Sequence, residues 1–229
     1  MRAEFKAPFF TVAINAVNEN TILLELIDPS SKLRASPSDL TASFISKLDN
    51  LFRTNYPTWI LDIVPAYDSM LIYFDFLSVS STQIIQTLSD ITNIATTDEN
   101  RLIDTGSHPT RIHRIPVDYS LKKGIDLERV ASLNNTTIDQ VIYLHGQRKY
   151  RVYAVGFMPN FAYLGFVPKK ISTPRQAPRK NVPKGAVGIA ENQTGIYPSD
   201  SPGGWNIIGQ CTTSLPTFKV GDIVQFFAT

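Results

Sequence analysis

The sequence of 229 residues contains only one cysteine, Cys211, and only three histidines. A single cysteine excludes an internal disulfide and any zinc site built on several thiolates. As a nucleophile Cys211 would need a neighbouring base, so we interpret it as a small buried hydrophobic side chain. The histidines, His108, His113 and His145, are not spaced as paired ligands, and we predict no metal site in this chain.

Long hydrophobic runs and a large charge excess are missing as well. No stretch approaches the about 20 apolar residues of a membrane-spanning helix, and the N-terminus lacks the pattern of a signal peptide. The formal net charge is +2, and most cations are dispersed, whereas strong nucleic-acid binding uses roughly 6–10 clustered contacts. We therefore expect a cytoplasmic protein that binds neither membranes nor nucleic acids.

The common catalytic signatures are absent too. The chain has no G-x-x-x-x-G-K-[ST] phosphate loop, no G-x-G-x-x-G fingerprint, no G-x-S-x-G elbow and no H-E-x-x-H motif. With 43% hydrophobic and 18% charged residues, the composition is nevertheless that of a folded globular protein. Any function has to be inferred from less familiar combinations of residues.

The first half of the chain alternates between strand and helix patterns. Strands are predicted at 21–27, 60–64, 70–76 and 111–119, and helices at 36–51 and 80–95. Ser80 and Gln83 have the spacing of a capping box at the start of the second helix. The order β-α-β-β-α-β predicts a ferredoxin-like α+β sandwich for residues 1–108, with the polar segment 97–109 as a linker.

A second domain is predicted over residues 109–229. Helical patterns at 126–133 and 137–146 indicate a helical hairpin. Beyond these helices, glycine and proline separate short apolar runs, which is typical of a small, mainly-β barrel that is closed or nearly closed. Residues 158–184 show no regular pattern, and loops longer than about 12–15 residues in compact domains are usually functional.

Two segments of this second domain have alternative interpretations. The aromatic-rich run GFMPNFAYLG at 156–165 fits the apolar wall of a ligand pocket and a loop packed on the barrel equally well. Residues 169–184 contain six cations and no acid, which for most of them is typical of a solvated loop. Arg175 is the exception, because the preceding proline restricts its loop and a guanidinium matches carboxylate or phosphate groups.

A third segment combines QTGIYP at 193–198 with SPGGW at 201–205. Its glycines permit a close approach of the backbone, and its prolines restrict the turns. Gln193, Tyr197, Ser201 and Trp205 add an amide, a phenol, a hydroxyl and an indole. This mixture favours a site for a small polar ligand over a purely structural turn.

These segments together resemble a known family. GFMPNFAYLG, TPR and VPKGAVGIAENQTGIYPSDSPGGWNIIG resemble the signature of the allophanate hydrolase subunit 1 family, also called the KipI-type family. Further matches are ILDIVPAYDSMLIYFD, IPVDY, DLERVA, VIYLH and YRVYAVGF, so the resemblance covers nearly the whole chain. It implies a cyclophilin-like β-barrel that follows a separate N-terminal α/β domain.

The resemblance also implies an activity. The family contributes one subunit of bacterial 5-oxoprolinase, which opens 5-oxo-L-proline to L-glutamate with ATP as co-substrate. Such a subunit would work only in a complex with an allophanate hydrolase subunit 2 (KipA-type) protein and a LamB/YcsF-type protein. An inhibitor of a sensor histidine kinase, as in the namesake of the family, is the alternative. A prolyl isomerase is a third hypothesis that has only fold analogy behind it.

Residue by residue, the resemblance implies a substrate pocket lined by Phe161, Arg175, Gln193, Tyr197, Ser201 and Trp205. His145, at the end of VIYLH, would act there or cap the helical hairpin, and no general base is assigned. The chain departs from the family pattern at 118–124, where a cysteine and a Gly-Gly-Glu cluster are usual, and at 159–162, where Pro-Gly-Phe-Pro is usual. The first departure leaves that loop without an assigned role.

Overall fold

The structure is a computed structural model that describes residues 2–6, 9–31, 38–54, 57–97 and 111–229. The chain folds into two compact units, Met1–Pro109 and Thr110–Thr229. Nearly all of the predicted linker lies outside the described residues, and so does the predicted start of the first helix at 36–37. Within the described residues, no helix has both the length and the apolar character needed to cross a membrane.

The first unit is a five-stranded antiparallel sheet with two helices. Its elements are β1 Arg2–Lys6, β2 Thr11–Asn18, β3 Thr21–Ile27, α1 Asp39–Thr54, β4 Ile60–Pro65, β5 Ser69–Phe74 and α2 Ser81–Thr97. The strand order is β1-β2-β3-β5-β4. Alternate residues of β3, such as Ile22 and Leu24, are buried and share one core with Phe44 and Leu48 of α1, as the strand and helix periodicities require.

Side-chain caps fix the start of the helices. The Ser80 amide donates to Gln83 Oε1 at 3.0 Å, and the Gln83 amide donates to Ser80 Oγ at 3.4 Å, which confirms the predicted capping box of α2. In the second unit the Gln140 amide donates to Thr137 Oγ1 at 3.2 Å. Each of these bonds satisfies an amide that would otherwise lack a partner in the first helical turn.

The second unit contains a closed barrel of seven strands, which confirms the predicted barrel. Its elements are β6 Ile112–Asp118, α3 Leu127–Leu133, α4 Ile138–Gly146, β7 Lys149–Val155, β8 Ala162–Leu164, β9 Arg179–Val182, β10 Ala186–Ala190, β11 Gln193–Ile196, β12 Ser201–Gly203, β13 Asn206–Cys211 and β14 Ile223–Ala228. The order around the barrel is β10-β11-β8-β7-β14-β6-β13, and β9 and β12 form a separate two-stranded ribbon.

Strand β14 closes the barrel by inserting between β6 and β7. It pairs in parallel with β6, from Ile223 opposite Ile112 to Ala228 opposite Val117, and antiparallel with β7. Its residues Val224 and Phe226 are buried in the barrel core. The strand nearest the start of this unit and the strand nearest its end are therefore neighbours.

The predicted ferredoxin-like βαββαβ arrangement of the first domain is wrong. The strand expected at 111–119 to complete it forms as β6, but β6 pairs with β13 and β14 of the barrel. Two strands that were not predicted, β1 and β2, extend the sheet of the first unit instead. Order along the chain identifies β6 as a strand, but only its pairing partners decide to which sheet it belongs.

A small aromatic cluster lies beside the main barrel core. Its buried members are Phe161, Val182, Ala186, Ala190, Tyr197, Trp205 and Ile207, with Met158 and Tyr163 packed against them. They come from β8, β9, β10 and β13 and from the residues that follow β11 and β12. The barrel and the ribbon together thus hold a second group of rings, and the candidate site is built on this group.

Candidate functional site

The second unit contains a cavity of about 220 Å³, which we call the aromatic cavity. Its lining residues are Phe157, Phe161, Tyr163, Arg175, Pro178, Tyr197, Pro202, Gly203, Gly204 and Trp205. They come from the β7–β8 turn, from β8, from the loop before β9 and from the segment around β12. Sites for drug-sized ligands have about 300–1,000 Å³, so this cavity fits a smaller ligand.

Phe161 is the centre of the aromatic packing and is almost completely buried. Its ring meets Tyr197, Trp205 and Tyr163 edge to face, with centroid distances of 5.3, 5.6 and 4.9 Å. Contacts of this kind contribute about 0.5–1.5 kcal/mol each beyond the burial of apolar surface. The interlocked rings therefore fix the apolar walls of the cavity.

Arg175 supplies a positive charge at the edge of these rings. Its side chain is exposed, and its guanidinium carbon lies 5.9 Å from the centroid of the Trp205 ring. In the described part of the chain, no carboxylate forms an ion pair with this guanidinium. The cavity thus presents a cation that is oriented by an aromatic face and able to receive an anionic ligand group.

Hydrogen bonds fix the backbone on both sides of Arg175. Thr173 and Glu191 exchange two backbone hydrogen bonds, at 2.8 and 3.0 Å. On the other side, the Gln176 amide donates to the carbonyl of Gly204 at 2.9 Å. A loop held in this way loses less conformational entropy when its cation meets an anion than a free loop would.

Two phenols of the cavity stay protonated at neutral pH. Burial raises the pKa of Tyr197, against the opposing effects of a hydrogen bond with the Trp205 backbone and of the Arg175 charge. Burial likewise raises the pKa of Tyr163, and Arg175 again acts in the opposite direction. A protonated phenol can donate a hydrogen bond, so both groups suit a ligand that carries acceptor oxygens.

Replacing Gly203 with alanine is expected to weaken ligand binding in the cavity. A Cβ atom there would lie within van der Waals contact of the buried Tyr197 ring, 3.0 Å or less from its outer atoms, so the ring must move. Overpacking of this kind costs about 1–3 kcal/mol. The matched control is Gly156→Ala, because a Cβ at Gly156 meets nothing within 4 Å. Thermal unfolding and ligand titration of both variants measure the difference; equal behaviour would contradict the role of Gly203.

A polar network supports the Trp205 wall from behind. Asp126 Oδ1 lies 2.5 Å from Arg179 Nη2, and Arg179 Nη1 donates to the carbonyl of Trp205 at 3.2 Å. Asn206 is fully buried, and its Nδ2 donates to the carbonyl of Pro174 at 2.9 Å. The network therefore ties the strand that carries Trp205 to the loop that carries the Arg175 cation.

The structure brings together part of the residue set implied by the resemblance. Four of those residues line the aromatic cavity, namely Phe161, Arg175, Tyr197 and Trp205. Gln193, Ser201 and His145 are not among its lining residues. Gln193 begins β11 opposite Ala190, and the Ser201 hydroxyl donates to the adjacent Pro202 carbonyl at 3.2 Å.

His145 lies in the barrel core, where it joins a directional chain of hydrogen bonds. The Thr194 hydroxyl donates to the carbonyl of Gly188 at 3.0 Å, so its oxygen accepts from His145 Nε2–H at 2.9 Å. His145 Nδ1 is then the acceptor for the Tyr119 hydroxyl at 2.8 Å. This tautomer is assigned from the network. The fully buried ring fills a structural role inside the barrel rather than the predicted place at the pocket.

Burial also sets the charge state of this histidine. It lowers the pKa of His145 to about 3, so the ring is neutral at physiological pH. Cys211 is buried, with Sγ 3.5 Å from the carbonyl oxygen of Thr213. Among the described residues, no group of three or more His, Cys, Asp or Glu side chains is arranged to hold a metal ion.

Several residues of the site were not assigned from the sequence. Phe157, Tyr163 and Gly203 line the cavity and lie within the aromatic-rich and glycine-rich segments that had been singled out. Asp126 precedes Arg179 by 53 positions. No pattern in the sequence links these two side chains, so the supporting network had no signal of its own.

The profile of one protein family matches residues 12–221 of this chain. The family is described as "Carboxyltransferase domain, subdomain C and D". The matched range includes every residue of the aromatic cavity and of its supporting network.

Two curated relatives are similar to this chain, and both are named as the same subunit of 5-oxoprolinase. The Bacillus subtilis protein is 36% identical over 178 residues, which cover 72% of this chain and 74% of the relative. The Haemophilus influenzae protein is 46% identical over 121 residues, which cover 49% of this chain and 57% of the relative.

Solved structures show a similar fold. The crystal structure of TTHA0988 has a TM-score of 0.74 at 30% identity and covers 92% of this chain, which spans 40% of that longer structure. The crystal structure of the K. lactis urea amidolyase has a TM-score of 0.73 at 15% identity, over 99% of this chain and 15% of the other. At that identity the second likeness concerns the fold alone.

Proposed function

The chain belongs to the family of the carboxyltransferase domain, subdomain C and D, and we propose that it is a subunit of 5-oxoprolinase. The observation that carries the proposal is that three curated relatives, at 36–46% identity, are all named as the same 5-oxoprolinase subunit. The complex would open the ring of 5-oxo-L-proline to give L-glutamate. The same names favour the enzyme over an inhibitor of a sensor histidine kinase.

The proposed reaction needs activation of the lactam. Amide resonance makes the ring carbonyl carbon a weak electrophile, so water alone attacks it slowly. ATP is the proposed co-substrate: transfer of a phosphoryl group to the lactam oxygen makes the ring carbon electrophilic, and water adds there. The C–N bond then breaks, the ring nitrogen leaves as the amine of glutamate, and phosphate is released.

The aromatic cavity is the proposed site for 5-oxo-L-proline in this subunit. The Arg175 guanidinium would pair with the substrate carboxylate, which is a charge-assisted contact. The protonated phenols of Tyr163 and Tyr197 would donate to its oxygens, and the apolar part of the ring would lie on Phe161 and Trp205. No residue of the cavity is assigned as a general base.

The proposed partners are two further subunits, an allophanate hydrolase subunit 2 protein and a LamB/YcsF-type protein. This chain would be inactive alone, because its cavity offers binding groups and no assigned catalytic base. The size of the cavity, about 220 Å³, suits the lactam better than a nucleotide.

The test is reconstitution from purified proteins. The three subunits are mixed with ATP and 5-oxo-L-proline, and the release of glutamate is followed over time. Activity is expected only when this chain and ATP are both present. Full activity of the two partners without this chain would overturn the proposal.

A further inference from the structure

Phe157 is unusual among the residues that line the aromatic cavity. Its side chain is 64% exposed, whereas Phe161, Tyr197 and Trp205 are each 6% exposed or less. Phe157 also lies at the cavity and touches Phe161 edge to face, with the ring centroids 5.5 Å apart. A large apolar ring is therefore left mostly in solvent at the opening of a cavity whose other rings are buried.

The backbone of Phe157 is strained as well. Its φ angle is +71°, a region that bulky residues rarely adopt. Gly156, directly before it, does not have a positive φ, and a Cβ there would meet nothing within 4 Å. A glycine at 157 would make this turn more easily, so the turn itself does not require phenylalanine at this position.

The turn is nevertheless held firmly. The Gly156 amide donates to the carbonyl of Phe161 at 3.0 Å, and the Phe161 amide donates to the carbonyl of Met158 at 3.1 Å. The Asn160 side chain donates to the Pro216 carbonyl, and its oxygen accepts from the Phe218 amide, each at 2.9 Å. The direction of the Phe157 ring is thus set by the structure around it.

We propose that Phe157 is a ligand-binding residue of the aromatic cavity, whose ring covers one face of a small cyclic carboxylate while Phe161 and Trp205 cover the other. The inference rests on the proposed function for its substrate, 5-oxo-L-proline. It accounts for both unusual features, because binding would bury the exposed ring, and the strained backbone is what places the ring over the opening. The cation for the carboxylate is Arg175 on the adjacent wall.

The first experiment uses the reconstituted three-subunit complex. Phe157→Gly and Phe157→Asn remove the ring and suit a positive φ, whereas Phe157→Tyr keeps the ring. The first two are expected to raise KM for 5-oxo-L-proline about three- to tenfold, the size of one aromatic contact, with kcat little changed. Phe157→Tyr should keep the parent KM. Tyr143→Asn is the control, because Tyr143 is 59% exposed and does not line the cavity.

Thermal unfolding of the same variants separates binding from stability. Phe157→Gly and Phe157→Asn are expected to unfold at a temperature no lower than the parent chain, because both residues tolerate the positive φ. A lower unfolding temperature together with an unchanged KM would show that the ring supports the fold. That result would overturn the inference.

A binding assay keeps the inference testable if the complex does not hydrolyse 5-oxo-L-proline. The chain has two tryptophans, Trp59 and Trp205, so Trp59→Phe leaves Trp205 in the cavity wall as the fluorescent reporter. This variant is titrated with 5-oxo-L-proline and with benzoate, with and without Phe157→Gly. Weaker binding of either probe after removal of the ring supports the inference even where glutamate release fails. Equal affinity for both probes, or no binding of either to the parent, overturns it.

Discussion

Replacing Arg175 with glutamine is expected to lower kcat/KM for 5-oxo-L-proline by about 10- to 150-fold. Hydrogen bonds to a charged group contribute about 1.5–3 kcal/mol, and about 1.36 kcal/mol corresponds to a factor of ten in rate. Glutamine is similar in polarity but has no charge for the substrate carboxylate. The measurement is the initial rate of ATP-dependent glutamate release by the reconstituted complex across a range of substrate concentrations.

Two controls make the Arg175 result specific. Lys170→Ala removes an exposed cation from the same basic segment, outside the cavity lining, and should leave the rate unchanged. Arg175→Lys keeps the charge but not the planar fork, so an intermediate rate is expected. In the Trp205 fluorescence assay, Arg175→Gln should weaken the binding of 5-oxo-L-proline and not that of 2-pyrrolidinone, which lacks the carboxylate. Equal loss for both compounds would contradict the assigned contact.

Replacing His145 with leucine is expected to lower the free energy of unfolding by about 2–4 kcal/mol. The change leaves the buried Tyr119 hydroxyl, which now donates to His145 Nδ1, without its acceptor. An unsatisfied buried polar group costs about 1–3 kcal/mol. The ring also stacks on Phe226, with a centroid distance of 4.5 Å, and that packing is lost. Chemical denaturation of the parent and the variant measures the difference.

The double variant Tyr119→Phe/His145→Leu tests the cause of this loss. Removing both partners of a buried hydrogen bond is nearly neutral compared with removing one of them. We therefore expect the double variant to be more stable than His145→Leu alone, although it carries one more substitution. Strictly additive losses would mean that the two side chains do not interact.

The same histidine gives the parent chain a defined dependence on pH. Its pKa is about 3 in the folded state and 6.5 when unperturbed, so below pH 6.5 the unfolded chain binds a proton that the folded chain does not. The contribution is complete above pH 6.5 and falls by about 1.4 kcal/mol per pH unit as the pH decreases toward 3. The stability difference between the parent and His145→Leu should therefore shrink between pH 7 and pH 4. A constant difference would contradict the neutral buried ring.

Local patterns predicted individual elements of the fold well. The run at 21–27 forms β3 with the expected bounds, and the spacing of Ser80 and Gln83 marks the start of α2. Sheet membership was not accessible in this way. Strand β6 was predicted as a strand but assigned to the wrong sheet, because its partners β13 and β14 lie about a hundred residues further along the chain, beyond the reach of local periodicity.

The candidate site shows the same limit. Glycine, proline and aromatic content singled out the segments that form the aromatic cavity, because such residues have distinct backbone and packing properties. The sequence could not show which side chains of those segments face the same space. Gln193 and Ser201 stand near lining residues in the sequence and yet are not part of the lining, whereas Tyr163 is. Along a strand, neighbouring side chains point to opposite faces, and the register decides between them.

The position of β14 has a consequence for the synthesis of the protein. Until residues 223–228 have left the ribosome, the edges of β6 and β7 that β14 later occupies have no partner in the barrel. At translation rates of about 5–20 residues per second, the roughly 110 residues between β6 and β14 take on the order of 5–20 s to make. Unpaired strand edges are prone to wrong pairing with other chains. We therefore expect nascent chains of this protein to depend on chaperones during this interval, and the dependence to grow when translation slows before residue 223.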